Sequence, residues 1–156
     1  MKSRNKIKKI MTIMSWMVFF IYLFLLTYFL FFADLMGRTH VQENYAYNLE
    51  LFKEIRRFIR YYKVLGWRST ILNLGGNVIG FMPMGFMLPM LIRRAKHWYL
   101  TVLMCFTFSL LVETVQLIWR VGIFDVDDMF LNTLGGLLGY LVYRILAGMR
   151  KDKNGN

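Results

Sequence analysis

Residues 98–120 read WYLTVLMCFTFSLLVETVQLIWR. An apolar run of this length is long enough to span a bilayer as an α-helix. Glu113, Gln116 and Arg120 interrupt it at spacing i, i+3, i+7, which places all three on one helix face. Charged and amide side chains at membrane depth are costly, so they turn toward a bundle interior or a water-filled cavity. The stretch therefore predicts a transmembrane helix with one hydrophilic stripe and partner helices to cover it.

Working outward, those partners are found on both sides. Leu72–Ile92 is a second apolar run, with Asn73 and Asn77 at its start and Gly75, Gly76, Gly80, Pro83, Gly85 and Pro89 within it. Pro83 removes a helix hydrogen bond, which predicts a kink or a break there. Met129–Ala147 is a third run, introduced by Asp125, Asp127 and Asp128 and carrying Asn132. Ile10–Phe32 is a fourth, behind a basic start at residues 1–9. It is too long for the apolar core of a secretory signal, and Phe31-Phe32-Ala33-Asp34 is a poor cleavage site. The expectation is all-α: a four-transmembrane-helix bundle with its three-helix core over residues 72–147. Residues 33–71 form the first external loop and residues 148–156 a cytoplasmic tail. Within the loop, Leu51, Ile55, Phe58, Ile59 and Tyr62 recur at helical spacing opposite Lys53, Arg56, Arg57, Arg60 and Lys63. That is the pattern of an amphipathic helix, either lying along a membrane surface or packing on the bundle as a solvated connector.

Composition agrees with the membrane class. Of 156 residues, 57% are hydrophobic and 17% aromatic, and the mean hydropathy is +0.42. The net charge of +11 argues for nucleic acid only in a soluble chain. Here the cations flank apolar runs, which makes them topology signals and anionic-lipid contacts and sets nucleic acid aside. The N-terminus, the Arg93–Lys96 turn and the C-terminal end are basic and fall on one side of four spans. The positive-inside rule makes that side cytoplasmic, with both termini there. The external loop conflicts with the rule, since it also holds seven Lys or Arg residues. The lone Cys105 sits in an apolar run and reads as packing.

This topology puts the hydrophilic residues of three spans at one depth, the external end. Asp128, Asn132, Gly135 and Gly139 share one face, and Asn73, Asn77, Gly80 and Met84 another. Glycines on such faces allow close backbone approach. The expected site is an outward polar pocket of Asn73, Asn77, Glu113, Gln116, Arg120, Asp125, Asp128 and Asn132. The competing reading is interhelical glue, worth about 0.6 kcal/mol per hydrogen bond in membranes. Glu113, Asp127 and Asp128 could offer oxygens to a hard cation, the weaker reading; no His or Cys stands at zinc spacing, and neither a metal nor another cofactor is expected. No nucleophile motif such as Gly-x-Ser-x-Gly is present.

The polar blocks resemble those of VanZ-like membrane proteins. Asn77-Val-Ile-Gly-Phe-Met-Pro-Met-Gly85 is similar to that family's N-x-x-x-F-x-P-x-G block. Glu113-Thr-Val-Gln116 with Arg120 resembles its E-x-x-Q-x-x-x-R block, and Asp125-Val-Asp-Asp128 followed by Asn132-Thr-Leu-Gly-Gly136 its D-x-x-D-x-x-x-N-x-x-G block. The blocks occur in order between Asn73 and Arg144. The resemblance implies a multi-pass protein of the bacterial cytoplasmic membrane, acting at the outer leaflet and linked to lowered sensitivity to teicoplanin. The expected partners are membrane lipids and a lipid-linked wall precursor or lipoglycopeptide. Arg120, Asn73 and Asn77 would contact its polar head, Glu113 and Asp128 would orient Arg120, and Gln116 and Asn132 would complete the hydrogen bonding. Two other classes stay open: a lipid enzyme using Glu113 or Asp128 as acid or base, and a purely structural protein.

Overall fold

The computed structural model describes residues 2–32 and 45–153. Residues 33–44 of the expected loop lie outside the described residues. The chain forms α1 (Lys2–Phe32), β1 (Tyr47–Asn48), α2 (Lys53–Arg60), α3 (Tyr62–Leu65) and α4 (Trp67–Thr70). A π-helical turn, Ile71–Gly75, then leads into α5 (Gly76–Leu91). A 3-10 turn at Arg93–Lys96 precedes α6 (Trp98–Trp119), and β2 (Phe124–Asp125) precedes α7 (Val126–Lys153). Lys9–Phe31, Trp67–Leu91, Trp98–Trp119 and Val126–Met149 are long and apolar enough to cross a membrane. The architecture is an all-α bundle of four such helices, and its strands are two residues each, paired in parallel with Tyr47 opposite Phe124 and Asn48 opposite Asp125.

The tightest packing joins α5 to α7, and glycine is the reason. A Cβ on Gly85 would lie 1.9 Å from the Gly136 carbonyl oxygen, and one on Gly135 would lie 2.1 Å from that of Val78. A Cβ on Gly139 would fall 1.9 Å from the Met82 carbonyl oxygen. The two backbones are therefore in direct contact, as small-residue membrane interfaces permit. Gly80 points elsewhere: its nearest neighbour would be Leu26 of α1, and its carbonyl accepts the Tyr22 hydroxyl at 2.7 Å. The face drawn from Asn77 through Gly80 is thus divided between two partners, with Gly85 and not Gly80 serving α7.

Of the kink or break expected at Pro83, no break occurs: α5 runs through both Pro83 and Pro89. Pro83 is exposed on the outer surface of the bundle. The change of helical register lies earlier, in the π turn, where one extra residue per turn is accommodated beside Gly75 and Gly76.

α1 buries a single stripe, Phe19, Leu26, Leu30 and Phe31, and leaves its other faces to the apolar surroundings. α7 continues past Ala147 to Lys153, so residues 148–153 extend the last helix. The amphipathic helix is present but short. Phe58 is buried and Ile55 half-buried, while Ile59 and Tyr62 are exposed. The chain turns at Tyr61 before the apolar stripe can continue.

Candidate functional site

The start of α5, the end of α6 and the start of α7 meet at one end of the bundle. The opposite end holds the Arg93–Lys96 turn, where the Tyr140 hydroxyl donates to the Lys96 carbonyl at 2.7 Å.

α6 and α7 run antiparallel and meet at four-residue intervals. Asn132 is one turn below Asp128, and Ser109 is one turn below Glu113, about 6 Å deeper along each axis. The Asn132 amide donates to Ser109 Oγ at 2.9 Å. A further turn down, Cys105 packs its sulfur and Cβ against Gly136, closing the polar ladder with an apolar floor. Above, Asn77 of α5 donates to Asp128 Oδ1 at 2.5 Å, linking the second and fourth spans. Glu113, 2% exposed, accepts the Asp125 backbone N–H at 3.0 Å. That bond ties the third span to the connector.

The connector forms a denser network. Asp125 Oδ1 accepts the Asn48 amide at 3.0 Å and the Asp127 N–H at 2.8 Å. Burial pushes the Asp125 carboxyl upward from its ordinary value, and those two hydrogen bonds pull it back in part. Asp127 reaches across the chain to the start of α2. Its Oδ1 accepts the Phe52 N–H, and its Oδ2 accepts those of Glu54 at 2.8 Å and Ile55 at 3.1 Å. The first N–H groups of a helix lack intrahelical partners, and Phe52, left-handed at φ 67, supplies no side-chain cap. Asp127 replaces that cap from more than seventy residues away.

The other expected site residues are placed as follows. Gln116 donates to the Leu30 carbonyl of α1 at 2.9 Å, bracing the first span. Arg120 ends α6 in a left-handed conformation, φ 57, with its guanidinium 4.6 Å from the Tyr45 ring centroid, a cation–π distance. Asn73 turns its amide back to the Ser69 carbonyl at 2.8 Å, on its own helical segment. The structure therefore brings Asn77 to Asp128 and Glu113 to Asp125, but the Asn73 amide bonds within its own segment.

One atom stands out. Asn132 is 1% exposed, and among the described residues its Oδ1 is the buried side-chain atom with no hydrogen-bond partner. Leaving a buried acceptor unmade costs about 1–3 kcal/mol. Among the described residues, no group of three His, Cys, Asp or Glu side chains is placed to hold a metal ion.

The pocket expected from the sequence includes neither Ser109 nor Asp127. The four-residue spacing Thr101, Cys105, Ser109, Glu113 is a legible signal for Ser109, since all four are buried on one face of α6. Asp127 had no such signal, because its partners lie far away in sequence. The same is true of Asn48 and Tyr45.

No curated protein and no solved structure matches the chain. A family model, VanZ/LLP1, matches residues 19–147. That span takes in the second half of the first apolar helix, nearly all of the other three, the connector and the polar ladder, and the chain belongs to the VanZ/LLP1 family.

Proposed function

We propose that this protein is an envelope protein of the bacterial cytoplasmic membrane that engages an amphiphile at the outer leaflet, either a lipid-linked wall precursor or a lipoglycopeptide of the teicoplanin type. The polar end of the bundle faces outward, and the basic end at Arg93–Lys96 faces the cytoplasm. The observation that carries the reading is the buried, unpartnered acceptor on Asn132, below Asp128 and beside Ser109, which a ligand reaches only by parting the outer ends of the helices. A sugar hydroxyl or amide N–H of a head group would satisfy it. Asn77 offers its amide one turn farther out, where it also bonds Asp128, Arg120 stands at the outer end of α6, about 16 Å beyond Ser109 along the axis, and the acyl or prenyl tail lies against the apolar flanks.

Binding of a lipidated glycopeptide and of its deacylated counterpart to the protein in nanodiscs tests this. The lipidated form binds, the deacylated form binds at least about tenfold more weakly, and Arg120→Ala weakens both while the protein still accumulates in the membrane. Equal binding to wild type and Arg120→Ala rejects the head-group role.

A second reading is favoured for part of the network. The three N–H bonds collected by Asp127, and the Asn48 and Asp127 bonds collected by Asp125, occupy those carboxylates structurally. In the binding reading Asp125 supports the connector and does not touch ligand. Glu113→Gln separates binding from lipid chemistry: it preserves shape and removes a base, so a folded variant that retains the phenotype excludes acid–base catalysis by Glu113.

A further inference from the structure

The stretch from Lys53 to Arg68 is not part of the polar ladder, yet it is firmly positioned. At one end Asp127 holds the start of α2. At the other, α4 passes through the π turn into α5. Both attachments are to the same ends of transmembrane helices, so the stretch is held level with the boundary of the apolar core.

Its composition is unusual for that height. Residues 53–68 carry six Lys or Arg and one acid, Glu54. Arg57 pairs with Glu54 at 2.9 Å and Arg56 with Glu50 at 3.3 Å. Lys53 and Arg60 line an open groove of about 450 Å³ along α2 with those pairs. Beyond the groove, Lys63 lies 5.9 Å from the Tyr62 ring centroid and Arg68 lies 5.5 Å from that of Trp67. Between these cations, large apolar side chains are bare: Ile59 is 62% exposed, Val64 83% and Trp67 63%.

Cations alone fit any polyanion. Cations interleaved with bare apolar groups, fixed at the hydrocarbon boundary, fit a bilayer surface bearing negative head groups. We propose that Lys53–Arg68 is a docking surface for anionic phospholipid head groups in the leaflet at the polar end of the bundle. Lys53, Arg60, Lys63 and Arg68 supply the charge complementarity, and Ile59, Val64 and Trp67 enter the head-group boundary. The surface is independent of the ligand proposed for the polar ladder.

The test uses the full chain in nanodiscs, with Val64→Cys carrying an environment-sensitive fluorophore; the native Cys105 is fully buried. Brominated phosphatidylglycerol quenches the label at a mole fraction at least about tenfold lower than brominated phosphatidylcholine, more than the roughly fivefold that one basic residue supplies at a charged surface. The combined variant Lys53→Gln, Arg60→Gln, Lys63→Gln, Arg68→Gln loses the preference while keeping its helical circular dichroism and melting transition. Equal quenching by the two lipids in the parent protein overturns the proposal. So does a preference that survives in the variant, which would assign it to cations elsewhere. Quenching by aqueous iodide in place of either lipid overturns it by placing Val64 in water. Abolition of the preference by millimolar inorganic phosphate identifies a free-anion site instead.

Discussion

Asp127 shows how one carboxylate fixes a distant element. It accepts three backbone N–H groups at the start of α2, where eight residues are too few to be stable alone. Asp127→Ala should cost about 1–2 kcal/mol, the scale of a lost cap. Limited trypsin digestion should then cut the Lys53–Arg60 stretch several-fold faster, with total helicity nearly unchanged. Unaltered cleavage would show that α2 is held by its packing alone. Asp125 makes a pH-dependent contribution. Its folded carboxyl is raised by burial, so the folded state holds the proton more tightly than the unfolded state. Its contribution is fully present below the unfolded value and is lost as pH rises through the folded one. Glu54, raised by its own burial and lowered in part by Arg57, has the same sign. Melting temperatures in detergent should therefore show a loss on raising pH through the carboxylate range, with a shallower slope in Asp125→Asn and a residue of slope from Glu54.

At the scale of elements, the α5–α7 contact sets the geometry on which the polar ladder depends. Gly135→Ala would drive a methyl group against the Val78 carbonyl, and Gly85→Ala one against that of Gly136. Neither obstacle is a flexible side-chain tip, so the helices must separate. Each change should destabilise by about 1–3 kcal/mol, the usual cost of overpacking, and should weaken the Asn77–Asp128 link as well. Gly148 on the same helix has nothing within 4 Å of its built Cβ. Gly148→Ala should be neutral or stabilising by up to about 1 kcal/mol through helix propensity. Melting curves of the three variants separate a steric effect from a general intolerance of alanine. The α1 contact is lighter. Tyr22→Phe removes the hydroxyl bond to Gly80 and should cost about 0.6 kcal/mol, small beside either glycine change.

At the scale of the whole molecule, the asymmetry of the two ends is the main property. One end gathers the buried acids and amides with the connector and the basic Lys53–Arg68 stretch; the other gathers Arg93, Arg94 and Lys96 without acids. Single cysteines at Leu49 and at His97, both exposed, report which end faces out. An impermeant maleimide on intact cells should label Leu49→Cys and leave His97→Cys unlabelled until the cells are opened. The reverse pattern would invert the orientation on which the outer-leaflet reading depends.

Hydropathy and length settled the class and the four spans, because solvation by lipid acts on each run of residues by itself. The same local physics made the one-face spacing of Glu113 and Gln116 legible, and the small residues of α7 that meet α5. What required the folded chain was pairing between distant segments. That Gly85 and not Gly80 meets α7 depends on how α5 is rotated between two neighbours, which no periodicity encodes. That Asp127 caps α2, Gln116 braces α1 and Asn73 bonds back to Ser69 depends on which donors tertiary packing brings within about 3 Å. A hydrogen bond exists only at that separation, and sequence spacing fixes separation only within one helix.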